Sequence, residues 1–561
     1  MAQQQQQPVR APAREHWSSR VWPQLPPELA ERIVGCLNRN VLAATFRQLN
    51  KATAEHYSGS QHTAIHLSEP VPPHAFAAHW LAPGATRGLN MERRKKLVCL
   101  VAASGVLPNL EVALQAAGFC QAPWVAFEAA AGAGQLAMCQ WLLDRFQSRS
   151  EERTAPSFAG DAWLAAAAGG HRHVCELLLP TVGRDTQLLK AAIGEAMRGG
   201  HSGLADWLLQ QHPAPTDAEF RYLHGAAHGC DLPTLQRAWL PAEWRLHTNT
   251  VVDLIASAAG SPAPDWAAKV EWLEAQAHVL GGPDAAEEAA ALPDDSEALA
   301  RLTWLRGRGY PVDARAVGAA AGSGNMAALQ YLLAEVPVGN VSSVDAMSVL
   351  DAAERGHLAA LQALHAAGWP IQRHLRDFTH GAASSGQLQL LAWLLEAQWA
   401  EPAALDAELF AAAAESGSVE LLAWLRQRGC PWDSAACWAA AGTGCEEALE
   451  WLVDQGCPME EDGRPYMAAC GNYGDMATVR CLRRLGVPWG RSGRVFLAAV
   501  GHSFVPARLP LLRCQLQEGC PVDYAAVEER TRGWSWVAHA HADAVLRQVR
   551  EQLGRRQPHH G

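Results

Sequence analysis

AAAGSGNMAALQYLL, running from Ala319 to Leu333, admits two readings. Gly322, Gly324 and Ala327 spell G-x-G-x-x-A, a form of the dinucleotide-binding fingerprint, in which glycines let a strand-to-helix turn press bare N–H groups against a pyrophosphate. That reading requires a hydrophobic strand ahead of the turn. What precedes it is Asp313-Ala-Arg-Ala-Val-Gly-Ala-Ala-Ala321, dominated by alanine and poor in the β-branched and aromatic residues of a buried strand. A helix enters the turn and a helix leaves it.

The pattern also recurs. Gly132-Ala-Gly-Gln-Leu-Ala137 repeats it and Gly442-Thr-Gly-Cys-Glu-Glu447 nearly so. The turn glycines Gly134, Gly170, Gly200 and Gly229 are 36, 30 and 29 residues apart; Gly324, Gly356, Gly386, Gly417, Gly444 and Gly474 follow at steps of 32, 30, 31, 27 and 30. A nucleotide site has no reason to recur at such a period, whereas stacked structural units do.

Each unit holds an alanine-rich run, a glycine, a leucine-rich segment with a bulky residue seven places on, and a Gly-x-Pro finger. The segment after Gly134 has apolar residues at Leu136, Met138, Cys139, Trp141, Leu142 and Leu143, a broad helical stripe and not a period-two alternation. Glycine ends each helix in the left-handed conformation, and proline forbids continuation. The small alanines let first helices approach closely. Trp141, Trp207, Trp393, Trp424 and Trp451 are expected in the core between units. Neither helix of a pair buries its apolar face alone, so the pairs must stack.

Ala413 to Asp433, AAESGSVELLAWLRQRGCPWD, resembles the ankyrin repeat, in the divergent Trp- and Cys-Pro-rich version found in algae and protists. The resemblance runs over 97–523. The chain lacks the family's Thr-Pro-Leu-His opening, and Gly-Cys-Pro-Trp stands where Gly-Ala-Asp-Val is usual. Unit boundaries blur within 228–317. There, residues 281–297 carry Asp284, Glu287, Glu288, Asp294, Asp295 and Glu297 with no basic residue, and are expected to form an acidic insert on one face.

The chain opens differently. Residues 1–20 read as a disordered tail, 21–57 as a helical module, 58–96 as a connecting segment, and 524–561 as a capping helix and tail. Pro26 and Pro27 open a helix with Leu29, Ile33, Val34 and Leu37 on one face. A second helix follows through Val41, Leu42, Phe46 and Leu49. This module resembles an F-box, on Leu25, Pro26, Glu28, Leu29, Ile33 and Leu37, together with Asn40-Val-Leu42 and Leu49-Asn-Lys51. The family's Trp after the last of these is absent. The resemblance implies docking onto the Skp-type adaptor of a cullin-RING ubiquitin ligase, the solenoid holding an unknown protein target. Without a ubiquitin role, the same helices would simply cap a plain scaffold.

The formal charge is −11, from 46 basic and 57 acidic residues, which argues against a nucleic-acid partner because phosphate neutralisation needs a basic face. Arg93-Arg-Lys-Lys96, the only dense basic run, reads as a solvated helix entrance. No apolar run reaches the ~18 residues of a membrane span, so no membrane partner is expected. The fourteen cysteines include no C-x-x-C pair; Cys430, Cys457 and Cys520 share a slot before proline and read as reduced packing residues of a cytoplasmic or nuclear protein.

No catalytic, cofactor or metal constellation emerges. His539-Ala-His-Ala-Asp543 sits in a helical pattern, where residues two apart face different ways. His171-Arg-His173 lies in an inter-helix step, where histidine holds backbone. Trp432 and Trp489 follow proline in the fingers and are read as inter-unit packing, with contact to a target as the alternative. The expectation is an all-α, ankyrin-type helical-hairpin solenoid with a small N-terminal helical module, and a binding function without enzymatic activity.

Overall fold

The computed structural model describes residues 27–532 and 547, except 50, 150–154, 183–184, 212–218, 240–247, 278–280, 338–348, 398–404, 472, 491–492 and 501–508. It is a helical-hairpin solenoid; the only β feature among the described residues is one isolated bridge, Phe119 to Asp475. No described helix is long and apolar enough to cross a membrane.

Fourteen helix pairs follow one another among the described residues, from Met91–Ala103 with Leu107–Ala117 as unit 1 to Arg494–Val500 with Leu509–Gln517 as unit 14, and Tyr524–Arg532 adds a further first helix. First helices of adjacent units pack along their lengths, while second helices meet over much shorter stretches. Side-chain size explains the difference. Ala126, Ala130 and Ala131 of unit 2 meet Ala159, Ala162, Ala166 and Ala167 of unit 3, all fully buried. Farther on, a Cβ on Gly225 would lie 2.5 Å from the Gly194 carbonyl. Second helices are held apart by tryptophan, so the stack curves with its first helices inside.

The tryptophans expected in the core therefore sit at its outer edge. Trp141, Trp207, Trp393, Trp424 and Trp451 are half-buried against the continuous core that runs through all the units. Three of the rings lie beneath arginines: Arg145 is 5.1 Å from the Trp141 centroid, Arg172 is 5.0 Å from Trp207, and Arg428 is 3.8 Å from Trp424. These cation–π contacts keep the indole faces covered where the helices splay.

Each turn glycine also leaves room for the next unit. Gly134 has φ +71°, and a Cβ there would meet His171 Nδ1 at 2.5 Å. The residue after the turn glycine reaches back to a carbonyl of the preceding turn: Gln135 Nε2 donates to Ala103 O at 2.8 Å, His171 Nε2 lies 3.0 Å from Gly132 O, and Asn325 Nδ2 donates to Ala290 O at 2.9 Å. These rungs satisfy carbonyls that a helix end leaves unpaired.

The acidic stretch is not an insert. Asp284–Ala290 is the first helix of unit 7, burying Ala285, Ala286, Ala289 and Ala290, and Asp295–Gly307 is its second. Its acids face outward or bond neighbours: Arg315 pairs with Asp284 and Glu287, and Asp295 accepts from Ala327 N and Ala328 N at 2.8 and 3.0 Å. The boundaries looked degenerate because Ser261-Pro262 and Leu292-Pro293 replace the glycine turn. Buried cations then cap the helix ends. Lys269 Nζ donates to Ala227 O at 2.7 Å and Cys230 O at 2.8 Å, and Arg301 Nη1 donates to Ala259 O and Ser261 O at 2.7 Å each.

At its end the array meets its beginning. Arg94, 2% exposed, donates from Nη1 to Asp475 Oδ1 at 2.9 Å and Ala117 O at 2.9 Å, and from Nη2 to Gly444 O at 2.9 Å and to Asp475 Oδ2. Asp475 also caps Met476–Arg484, accepting from Ala477 N and Thr478 N at 3.1 Å. Backbone bonds join the same edges: Met476 N to Gly118 O at 3.0 Å, and Cys120 N to Tyr473 O at 3.1 Å. The loop edge of unit 1 thus rests on the inter-helix turns of units 12 and 13. The array thus comes round on itself within twelve to thirteen units, the small rotation at each step adding up. The basic run read as solvated contributes to this joint: Arg94 is buried in it and Lys95 Nζ lies 3.5 Å from the Tyr473 ring centroid.

The N-terminal helices have their own small core of Val34, Leu42 and Tyr57, with Phe46 against it. Asn40 ties it to the segment that follows, donating to His66 O at 2.7 Å and accepting from His66 N at 2.8 Å. The array's first face is covered by Pro73–Trp80, whose Phe76 joins the solenoid core, and Asn109 Nδ2 holds Val71 O at 2.9 Å. Capping of unit 1 thus falls within the stretch read as a connector.

Candidate functional site

The inner surface is built from the solvent-facing sides of first helices. Between Leu350–Glu354, Leu375–Ser384, Ala407–Ser416 and Ala435–Thr443 it sinks into a groove of about 500 Å³. Ala407, Ala411, Ala412 and Ala435 form part of its lining, because alanine leaves the space between helices unfilled. Around them stand Glu354, Asp377, Glu408, Glu415 and Asp433, with His380 and Trp438. Trp438 is 38% exposed.

The carboxylates differ in what they already hold. Glu408 pairs with Arg376, Asp377 Oδ2 lies 3.3 Å from His374 Nδ1, and Asp433 Oδ1 accepts from Ala435 N at 2.8 Å. Glu354 and Glu415 pair with no arginine or lysine among the described residues. Burial pushes the Glu415 carboxyl above its ordinary pKa, and the nearby His380 pulls it back in part. Hydrogen bonding, apolar contact and cation binding are available here; a nucleophile with an adjacent activating base is not evident.

A second hollow of about 330 Å³ lies on first helices Thr186–Arg198 and Glu219–Gly229. It carries Arg198, Arg221, His224 and the 45% exposed Phe220. Two arginines there face one carboxylate, Glu195, so charge is unevenly spread along the inner surface.

The G-x-G-x-x-A turn is filled from within. Gly324 adopts φ +75° as the C-cap of Ala314–Ser323, and the Asp295 carboxylate already occupies the helix N–H groups of Ala327 and Ala328 that a phosphate would need. His171 and His173 spend Nε2 on Gly132 O and Gly134 O, each at 3.0 Å. Burial holds the His171 ring below its ordinary pKa. His539-Ala-His-Ala-Asp543 lies outside the described residues. Glu446, Glu450 and Cys481 cluster closely enough to suggest metal ligation, but Arg484 Nη2 lies 3.2 and 2.6 Å from the two carboxylates and Arg87 pairs with Glu450, so guanidinium groups already neutralise them.

Trp432 is half-buried, 5.4 Å from the Phe410 ring and capped by Arg426 at 4.0 Å; Trp489 is 9% exposed and stacks on Tyr466 at 3.8 Å. Both pack between units. Of the six residues singled out in the N-terminal module, Leu25 and Pro26 lie outside the described residues. Glu28 is exposed, Leu29 and Ile33 are 45% and 44% exposed, and Leu37 is half-buried. Sequence reading missed Trp438. Its signal was a bulky side chain in Ala435–Thr443, AACWAAAGT, where the repeat otherwise sets small residues.

No family model and no curated protein matches the chain. Among solved structures, that of the pentatricopeptide repeat protein PPR10 from maize is 13% identical over 95% of this chain and 82% of that one, with a TM-score of 0.25. PPR10 in complex with an 18-nt psaJ RNA element is 11% identical over 95% and 92%, at 0.27. At those scores the likeness assigns nothing to this chain beyond what its own helices display. The exclusion of nucleic-acid partners drawn from the net charge is withdrawn on the chain's own surface. A charge of −11 is a sum over the whole chain, and the Arg198–Arg221 hollow shows that a single face need not share its sign.

Proposed function

We propose that this chain is a non-catalytic scaffold of ankyrin-like units that binds a protein partner on its inner surface. The groove around Trp438 is the observation that carries this reading. It offers an exposed indole and unpaired carboxylates on stacked helices that lose little freedom on binding. Affinity capture by the full chain provides the test. The partner is expected to be lost when Trp438→Ala and Ala411→Arg are combined, and retained by Trp424→Ala on the outer surface. Capture unaffected by the inner changes refutes the reading.

The N-terminal module supports a second reading, in which the scaffold is a substrate adaptor for a cullin-RING ligase. Its supporting observation is the exposure of Leu29, Ile33 and Leu49, the last at 48%, an apolar set that a Skp-type adaptor would cover. Co-purification with that adaptor, abolished by Leu29→Glu with Ile33→Glu or by Leu25→Ala with Pro26→Ala, is the expected result; no association of the intact chain removes this role.

A further inference from the structure

The tryptophans of this protein reveal what their faces accept. Trp141, Trp207, Trp266, Trp304, Trp424 and Trp432 each lie under an arginine of the same chain, at 3.8 to 5.1 Å from guanidinium to ring centroid. Most of these arginines also meet a carboxylate: Arg428 pairs with Glu396, Arg301 Nε lies 2.8 Å from Glu297, and Arg308 reaches Glu271 at 3.2 Å. An indole beneath a cation, with a carboxylate beside it, is thus a recurrent local solution here. Trp438 has the indole and the carboxylates without the cation: no arginine or lysine stacks on it among the described residues, and Glu354 and Glu415 remain unpaired.

We propose that the Trp438 groove binds an extended segment of a protein partner through an arginine or lysine. The cationic head would lie over the Trp438 face towards Glu415 of the adjacent first helix, with its aliphatic stem along Ala411 and Ala412, since long basic side chains bury their stems on apolar surface; Glu354, two helices farther along the groove, adds to its negative field. Charge complementarity fixes the ligand class, because a phosphate-bearing ligand would place like charges against these carboxylates. The groove crosses four first helices, three steps of about 10 Å, which suits roughly nine extended residues. Burial lifts the Glu415 carboxyl, and an incoming cation would relieve that cost.

This inference rests on the scaffold reading, and one selection separates the two. A randomised decapeptide library is panned on the full chain, on Glu354→Gln with Glu415→Gln, and on Trp438→Ala, after thermal melts confirm that the variants fold. The expected result is at least tenfold enrichment of Arg- or Lys-containing peptides on the native chain, lost on both variants and competed by salt. Peptides that depend on Trp438 but show no basic preference overturn the cation assignment and leave the inner-surface scaffold standing. No enrichment, enrichment that survives the Glu→Gln changes, or displacement by a single-stranded RNA oligonucleotide that binds the same groove more tightly also overturns it.

Discussion

Gly324 shows how much one residue can decide. Its φ of +75° ends a helix, and a Cβ would meet the His357 ring at 2.8 Å. Gly324→Ala should lower stability by about 1–2 kcal/mol from the left-handed backbone alone, with more if His357 cannot move aside; urea unfolding reads the change. The histidines bound into the fold add a pH dependence. His228 is held down from 6.5 to about 4, by burial first and then by Arg198 and Lys269, and His171 is lowered by burial. Rings that stay neutral when folded but bind protons when unfolded favour unfolding as pH falls. Melting temperature should therefore drop from pH 6.5 towards pH 4, and His228→Gln should flatten part of that slope. The turn glycines and His171 were legible because they recur at the same inter-helix step of successive units. Lys269 was not, because it stands on a second helix, outside that recurring step, and caps carbonyls of the preceding unit.

At the scale of the helix, the thirty-residue period disclosed the pairs, and alanine against tryptophan disclosed which helices approach. The acids of unit 7 hid a helix because they were counted along the chain; around the helix, Ala285, Ala286, Ala289 and Ala290 make a buried stripe. The alternation of size also places the tryptophans, which stand where second helices diverge and not in the centre. Ala166→Leu, forcing a larger side chain between the first helices of units 2 and 3, should cost about 1–3 kcal/mol through overpacking, measured by thermal denaturation. Trp424→Ala, on the half-buried outer edge, should cost less than the ~3–5 kcal/mol of a fully buried aromatic. An Ala166→Leu change without cost, or a Trp424→Ala loss as large as that of a fully buried aromatic, would contradict a stack that is tight inside and open outside.

For the whole molecule, local reading stops. The periodicity implies stacking but not how far the stack bends, and Arg94 and Asp475 meet across 381 residues. No pattern in Arg93-Arg-Lys-Lys96 announces that one of its four cations will be buried at the far end of the array. The groove was half legible: its alanines were expected, while the significance of Trp438 came only from seeing which indoles lack a cation. Closure fixes the curvature of the inner surface, so the spacing across that groove depends on a joint at Arg94, 256 to 344 residues upstream of the groove's lining. Small-angle X-ray scattering tests this directly, comparing the full chain with Arg94→Ala, which leaves Asp475 without its cation. Fourteen pairs laid straight at about 10 Å each would extend roughly 140 Å. The native chain should show a pair-distance distribution ending well short of that, lengthening in Arg94→Ala as the joint opens; an extended native profile, unchanged by the substitution, would contradict the closed array.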